Sequence, residues 1–566
     1  MKLKKEISKI IAEALEQASI CVDEVSVNEA TRPEFGDYQY NGIMPLAKML
    51  QRNPREIAQQ VASLIKTDGM IAKVEVAGPG FINIWIDSHW LCDAASVMLQ
   101  DEHFAIAPRE NPIRVVVDYS GPNMAKQMHV GHLRSTIIGD TLANLLEFLG
   151  DEVIRQNHIG DWGTQFGMLV AYLEESGLDE GSENLKDLEQ FYKDAKKRFD
   201  EEADFADKAR EYVVKIQSGD AHCLYLWQKF IDISLGHCEE IYKELGVGLA
   251  REDVRSESFY NERLPLVVDL LEREKMVEVS EGARCVFLSG EETPVIVQKQ
   301  DGGYLYATTD LAALWYRSEV LHAKRLLYVV DARQSDHFKQ VFRVAKASGL
   351  VREDEQLEHI SFGTMMNRDG KPFKTRDGGT VRLIDLLSEA VARAKESINL
   401  KEEYSDEELE VLAQVIGIGA VKYADLSINR ESNYIFDWDK MLSLEGNTSL
   451  YQQYAYARIM SIFRRYGGEI GNTISIDTEI EHRLSLALLR FEDVLEKAAK
   501  DAAPHQITSY LYEVATLFMR FYEQNPILKE EISEEVRQSR LALASLCGKV
   551  IKQGLAILGI GVVERI

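Results

Sequence analysis

The stretch Arg114-Val-Val-Val-Asp-Tyr-Ser-Gly-Pro-Asn-Met-Ala-Lys-Gln-Met-His-Val-Gly-His132 governs how the remaining chain is read. Val115-Val-Val117 is short, β-branched and uninterrupted, which suits a strand covered on both faces in a parallel sheet. Asp118, Ser120, Gly121, Pro122 and Asn123 follow it. These are polar, turn-forming residues, so the carboxyl end of the strand opens onto the kind of crevice that α/β sheets use for nucleotides. From Gly131 to Leu149 the spacing of Leu133, Ile137, Thr141, Leu145 and Phe148 predicts a helix with one buried stripe. His129 and His132 then fall at its amino end.

That position has a chemical meaning. The first turn of a helix presents unpaired N–H groups and the positive end of the dipole, both of which attract phosphate. Two imidazoles add donors there, and Gly131 between them lets a flat base or ribose come close to the backbone. Two plainer readings compete: a zinc ligand pair, or histidines that only cap the helix. Zinc needs three or four ligands, and neither Cys-x-x-Cys nor His-Glu-x-x-His accompanies the pair, so no metal site is expected.

The chain has 566 residues, which suggests three or four domains. Its net charge of −27 argues against a general nucleic-acid coat protein, because phosphate binding relies on clustered Lys and Arg. The acidity is uneven, however. Residues 171–211 hold fourteen acids against seven bases, whereas residues 441–566 hold sixteen against fourteen, which leaves the C-terminal part open to RNA. Cys21, Cys92, Cys223, Cys238, Cys285 and Cys547 are scattered without paired spacing, the usage of a reducing cytoplasm. The N-terminus, Met1 to Leu15, mixes both charge signs and lacks a secretory core, and no stretch reaches roughly 18 apolar residues, so a cytoplasmic protein free of membranes is expected.

Three regions can be distinguished. Residues 1–110 combine helices with Val74-Glu-Val-Ala-Gly-Pro-Gly-Phe-Ile-Asn-Ile-Trp-Ile86, a turn followed by an alternating strand, and make an N-terminal α+β domain. Ala107-Pro-Arg-Glu-Asn-Pro112 reads as a linker. From 111 to 385, strand-like runs such as Val295-Ile-Val297 and Arg325-Leu-Leu-Tyr-Val-Val330 alternate with helices, the pattern of a parallel α/β sheet, interrupted by an acidic helical insertion at about 171–250. From 386 to 566 helical periodicity prevails and predicts an all-α bundle.

His129-Val-Gly-His132 matches the His-x-Gly-His signature of class I aminoacyl-tRNA synthetases. Residues 120–136 and Asn157-His-Ile-Gly-Asp-Trp-Gly-Thr-Gln-Phe-Gly167 resemble the arginyl-tRNA synthetase family in particular, as do Tyr454-Ala-Tyr-Ala-Arg458 and Val550-Ile-Lys-Gln-Gly-Leu555. The resemblance spans essentially the whole chain. It implies a Rossmann-like catalytic domain, an additional N-terminal domain that contacts tRNA, and anticodon binding from about residue 445. It also implies activation of L-arginine with ATP, Mg²⁺ accompanying the nucleotide, and transfer of the arginine to the terminal adenosine of tRNA(Arg) by a monomer. Bound tRNA is expected to be required before activation.

On the same resemblance His129, Gly131, His132 and Lys126 meet the ATP phosphates. The general Lys-Met-Ser-Lys-Ser loop of class I is replaced here by Lys371-Pro-Phe-Lys-Thr375, and either Lys371 or Lys374 takes the phosphate-binding part. Phe81 and Asn83 match positions that recognise a tRNA base. A guanidinium with five donors calls for carboxylates in bidentate geometry, and a pocket built of them rejects an ammonium that cannot fill it. Candidate acids are Asp118, which closes the first strand, Asp310 after Tyr304–Thr309, and Glu257 in Arg255–Ser258, and the resemblance implies Asp118, Asn123, Glu257, Tyr306, Asp310 and Gln334 as the arginine-binding positions. As a plain alternative, Asp310 caps the helix Leu311–Arg317.

Three rival functions share some of these features. Another His-x-Gly-His nucleotidyltransferase would lack the long helical C-terminal region. Other class I synthetases commonly carry zinc cysteines or large editing insertions. A non-catalytic RNA-binding paralogue has no need of the intact Lys126, His129, Gly131 and His132.

Overall fold

The computed structural model describes residues 2–124, 126–176, 188–373, 381–398 and 404–566. The chain forms two compact units, one of Met1–Pro108, Ser443–Ala556 and Gly561–Ile566, the other of Arg109–Leu442 and Ile557–Ile560.

The second unit is built on a parallel sheet. Its strands are β1 (Arg114–Asp118), β2 (Glu152–Gln156), β3 (Arg325–Tyr328) and β4 (Gln356–His359), in the spatial order β4-β3-β1-β2. Asp118 lies level with Gln156 on one side and Tyr328 on the other. Val115, Val116 and Val117 are completely buried, as a strand covered on both faces must be. Helix α1 (Val130–Phe148) joins β1 to β2, α2 (Tyr306–Glu319) precedes β3, and α3 (Ser335–Ala347) joins β3 to β4. The two crossovers run in opposite directions from the centre of the sheet, and right-handed connections therefore place α1 and α3 on opposite faces. Val116, Leu311, Leu326, Phe338, Val341 and Val344 form the core on the α2–α3 side. Strand order reverses between β1 and β3, the place where such sheets open to ligands.

Two expectations are corrected. Helix α1 has no single apolar stripe: Arg134, Ser135, Thr136, Asp140 and Thr141 are buried along with its aliphatic residues. It runs between the sheet and the helices α4 (Leu383–Ser397) and α5 (Asp406–Leu426), so nearly every face is covered. Arg134, Ser135, Thr136 and Asp140 find partners inside, whereas the Thr141 hydroxyl has none among the described residues. Arg134 donates from Nε to Asp425 (3.1 Å) and from a terminal nitrogen to the Gly363 carbonyl (2.7 Å). Secondly, Val295–Gln298 does not join the parallel sheet. It pairs with Ala283–Val286 in a three-stranded antiparallel sheet, and the exposure of Ile296 between buried Val295 and Val297 marks a strand covered on one face only.

The helices Thr164–Ser176, Leu188–Glu201, Ala203–Gln217 and Ala221–Leu245 make up the insertion after β2. Residues 386–442 belong to the same unit as the sheet, with α5 started by a capping box between Ser405 and Glu408.

The other unit holds a four-stranded antiparallel sheet and a helical bundle. Ile71–Ala77 and Phe81–Ile86 form a hairpin, with Ala77 opposite Phe81, where the sequence alone suggested a turn and one strand. The bundle helices are Ser449–Tyr466, Glu479–Leu489, Phe491–Asp501, His505–Gln524 and Glu534–Ile557. Arg490, almost buried, bridges Glu29 of the sheet and Glu513 of the bundle, and His482 pairs with Asp37 (3.1 Å). Among the described residues no helix is long and apolar enough to cross a membrane.

Candidate active site

A cleft of ≈ 410 Å³, a size suited to small-molecule ligands, opens at the carboxyl ends of β1 and β3. Asp118, Asn123, His129, Gly131, His132, Glu257, Tyr306, Asp310 and Gln334 all line it, so nine positions scattered over more than two hundred residues of sequence meet in one place.

The floor is a strained turn. Ser120 (φ +72°) and Gly121 (φ +54°) are both left-handed, and the strain at the non-glycine Ser120 persists only where neighbours hold it. Here the Ser120 N–H donates to Ser135 Oγ (2.9 Å), Ser135 Oγ–H donates to the Val329 carbonyl (2.6 Å), and Gly121 N–H donates to Asn157 Oδ1 (3.0 Å). Ser135 of α1 thus ties the turn after β1 to the end of β3.

At the amino end of α1 the imidazoles do two things at once. Gly131 N–H donates to His129 Nδ1 (3.0 Å) and His129 N–H donates to His132 Nδ1 (3.1 Å). Both rings therefore cap the helix. An Nδ1 that accepts carries no proton, which assigns each ring the Nε2–H form and leaves that N–H as a donor to a ligand. The rings lie 4.1 Å apart. Burial, with the neighbouring His129, pushes His132 down to about 3, and burial, Lys126 and Arg333 lower His129. The pair is accordingly neutral near pH 7. Gly131 has a different reason from the one its sequence position suggested: a Cβ there would sit 2.7 Å from His129 Cε1 and displace the ring.

The opposite corner is acidic. Burial, then the charges of Asp161 and Asp310, raise Glu257 to about 7. Asp161 itself is turned to structure, accepting from the backbone and hydroxyl of Ser258. Asp310 accepts from His337 Nε2 (2.6 Å). It does not cap a helix, since α2 begins at Tyr306 and Asp310 lies in its second turn. Tyr306 is 67% exposed at the rim of the cleft, its ring against His337. Gln334 stands at the amino end of α3.

Asp118, also in the lining, is already engaged inside the protein. Its Oδ2 takes the guanidinium of the fully buried Arg317 (2.8 Å), which also donates to Gln156 Oε1 (2.7 Å) and stacks on Tyr328 (4.7 Å). Its Oδ1 accepts from His158 N–H (3.3 Å). The carboxylate forms a wall of the cleft while already holding an internal cation.

Other expected residues lie outside this lining. Lys126 rests over the Tyr192 ring (5.1 Å). Lys371 is exposed on a turn where its N–H donates to Asn367 Oδ1 (3.0 Å), and Arg368 anchors that turn to Asp437 and Asp439. Lys374 lies outside the described residues. Phe81 and Asn83 are in the other unit, where Asn83 is buried and accepts from Gln39 (2.7 Å). The sequence reading missed His158, Asp331, Arg333, His337 and Arg317. His158 lines the cleft with a buried Nδ1 that has no partner among the described residues, and Arg333 lines it while paired with Asp331. Asp331-Ala-Arg-Gln-Ser-Asp-His337 follows β3 as Asp118 ends β1, and that shared signal could have found three of them.

A family model described as tRNA synthetases class I (R), catalytic domain, matches residues 93–438. The chain belongs to the arginyl-tRNA synthetases of class I. For this synthetase two further models match, a DALR anticodon binding domain over residues 452–566 and an arginyl tRNA synthetase N terminal domain over residues 2–86. It is 53% identical over 543 residues to an arginine–tRNA ligase of Cellvibrio japonicus, covering 94% of each chain. To the arginine–tRNA ligase of Alteromonas mediterranea it is 51% identical over 567 residues, covering 98% of each. Among solved structures it is similar to the arginyl-tRNA synthetase of Plasmodium falciparum, with TM-score 0.87 and 30% identity over 100% of this chain and 99% of that one.

Proposed function

We propose that the cleft seats ATP against the imidazole corner and L-arginine against the acidic corner, and joins them. The chain is an arginine–tRNA ligase by family, and the residue assignments are our reading of the site. One observation carries it: a pair of neutral imidazoles at a helix amino end shares a single cleft with mutually repelling carboxylates, so the same cavity suits an anion at one end and a cation at the other.

In this reading the Nε2–H groups of His129 and His132 and the first turn of α1 bind phosphate oxygens, with Gly131 keeping His129 in place. Lys126 and one of Lys371 and Lys374 supply the movable positive charge. Glu257, Asp310, Tyr306, Gln334 and Asn123 hold arginine, and Asp118 bounds the pocket. The arginine carboxylate attacks the α-phosphorus in line, forming arginyl adenylate as pyrophosphate leaves. A ribose hydroxyl of the terminal tRNA adenosine, the 2′ in our reading, then takes the acyl group and AMP departs. No enzyme nucleophile is required, so the site works by positioning and by stabilising charge.

Mg²⁺ enters as part of the nucleotide. Among the described residues no three His, Cys, Asp or Glu side chains converge to hold a metal ion, and the triphosphate provides the oxygen ligands this cation prefers. We assign tRNA(Arg) contacts to residues 1–110, through Phe81 and Asn83, with Asn83 exchanging Gln39 for a base. Anticodon reading is assigned to the helical region from about 445, and catalysis to residues 111–385. A monomer is our reading by family, and the scattered cysteines, none of them paired with another among the described residues, support the cytoplasm.

Pyrophosphate exchange into ATP, run with each amino acid in turn and with or without total tRNA, tests the reading. Exchange is expected with arginine alone and only when tRNA is present. Exchange with another amino acid would overturn the assignment of the acidic corner.

A further inference from the structure

We infer that His337 is a positioning residue for amino-acid recognition, holding Asp310 and Tyr306 in the orientation that reads a guanidinium. The inference rests on the proposed arginine site.

His337 stands in the first turn of α3 and does not itself line the cleft. It meets two residues of α2 that do. Its Nε2 lies 2.6 Å from Asp310 Oδ2, and an ionised carboxylate only accepts, so Nε2 carries the proton and donates. Both side chains are 17% exposed. The edge of the Tyr306 ring packs on the same imidazole, with centroids 4.8 Å apart at 61°. Tyr306 and Asp310 are four residues apart and share one face of α2, so one side chain from the neighbouring helix restrains both.

Such a restraint has work to do. The terminal torsion of an aspartate is broad, and Asp310 is repelled by the neighbouring Glu257. Left alone, the carboxylate would turn away from the acid corner. With Oδ2 fixed by His337, Oδ1, which has no partner among the described residues, stays presented to the cleft. A guanidinium binds carboxylates in plane along fixed N–H directions, so recognition depends on that orientation as well as on charge.

Three single variants and one double, assayed in the full chain with tRNA present, test this. His337→Phe keeps a ring against Tyr306 and removes the donor. His337→Gln restores a donor near the position of Nε2. Asp310→Asn is the reference for the arginine site itself. Loss of a hydrogen bond to a charged group predicts an arginine KM raised roughly 10- to 100-fold in His337→Phe, with ATP KM and kcat at saturating arginine within about twofold. His337→Gln is expected within about threefold of the parent for arginine KM. Asp310→Asn/His337→Phe should be no worse than Asp310→Asn alone, because the second change acts only through the first.

The failures are distinguishable. If Asp310→Asn leaves arginine KM unchanged, the proposed arginine site falls, and this inference with it. If Asp310→Asn raises arginine KM while His337→Phe does not, the site stands and the positioning role is overturned. If His337→Phe and His337→Gln raise the KM values for arginine and ATP alike, or the double variant shows additive losses, His337 is general scaffold and the inference is likewise overturned.

Discussion

Glu257 is the residue whose chemistry is most exposed to experiment. With a value of about 7, it is largely protonated below neutrality and cannot then neutralise a guanidinium. Apparent arginine affinity should therefore fall by up to about tenfold per pH unit below pH 7 and level off above it. Arginine KM measured between acid and alkaline pH checks this, and the acid limb should vanish in Glu257→Gln. Stability runs the other way. A carboxyl raised in the folded state contributes stability below its unfolded value and loses it as pH rises through the folded one, here from the ordinary glutamate range to about 7. Glu257→Gln should thus raise the ligand-free unfolding free energy above pH 7, by about 1–3 kcal/mol, while weakening arginine binding. A variant that lost both stability and affinity would contradict the origin of the shift. The contrast between sites shows what a sequence discloses about single residues. His129 and His132 were legible because four adjacent positions carry the signal. Glu257 in Arg255-Ser-Glu-Ser258 could be named as a candidate, but its raised value could not, because that comes from burial and from Asp161 and Asp310, which only folding sets beside it.

At the level of elements, β1 was plain from Val115-Val-Val117, yet α1 was read with the wrong pattern. Its helical period was visible, but nothing local marked Arg134 and Asp140 as buried, since their partners, Asp425 for the one and Gly248 N–H for the other, lie more than a hundred residues away. Long-range pairing of polar groups leaves no local trace. Arg317 is the sharpest case, an ordinary helix arginine by sequence that spans β2, β1 and β3 from α2. Its charge is secured by Asp118 despite complete burial. Arg317→Met should destabilise the sheet unit by about 3–5 kcal/mol, since an unpaired carboxylate remains in the interior, and Asp118→Leu added to it should recover much of the loss. Thermal unfolding of the two variants decides the point; an unchanged midpoint in the single variant would show that water reaches Asp118. Val295–Val297 failed for another reason: three residues carry too little pattern to tell a one-faced strand from a two-faced one.

For the whole molecule, length and composition limited the class without naming it, and the longer strings around the first strand did the rest. The contact of the N-terminal sheet with the helical bundle inside one unit was not legible, because its ends come from opposite termini. Arg490 reaches Glu29, and His482 reaches Asp37. Burial opposes charge on His482, but the hydrogen bond and charge of Asp37, with Glu479, lift it above the usual histidine value. That contribution is full below the unfolded value near 6.5 and is lost as pH rises through the folded one. The unit should therefore unfold at lower temperature at pH 8.5 than at pH 6, and His482→Asn should flatten the difference; a parent protein with equal midpoints would exclude the pair as a contributor. The capping imidazoles of α1 bear on a different property of an acidic chain. Their share of the grip on a polyphosphate comes from oriented dipoles, so mobile counterions have little to shield, whereas capture of a cation by Glu257 and Asp310 is coulombic and open to shielding. Rising ionic strength should consequently spare the imidazole share of nucleotide binding while weakening the shares of Lys126, Glu257 and Asp310.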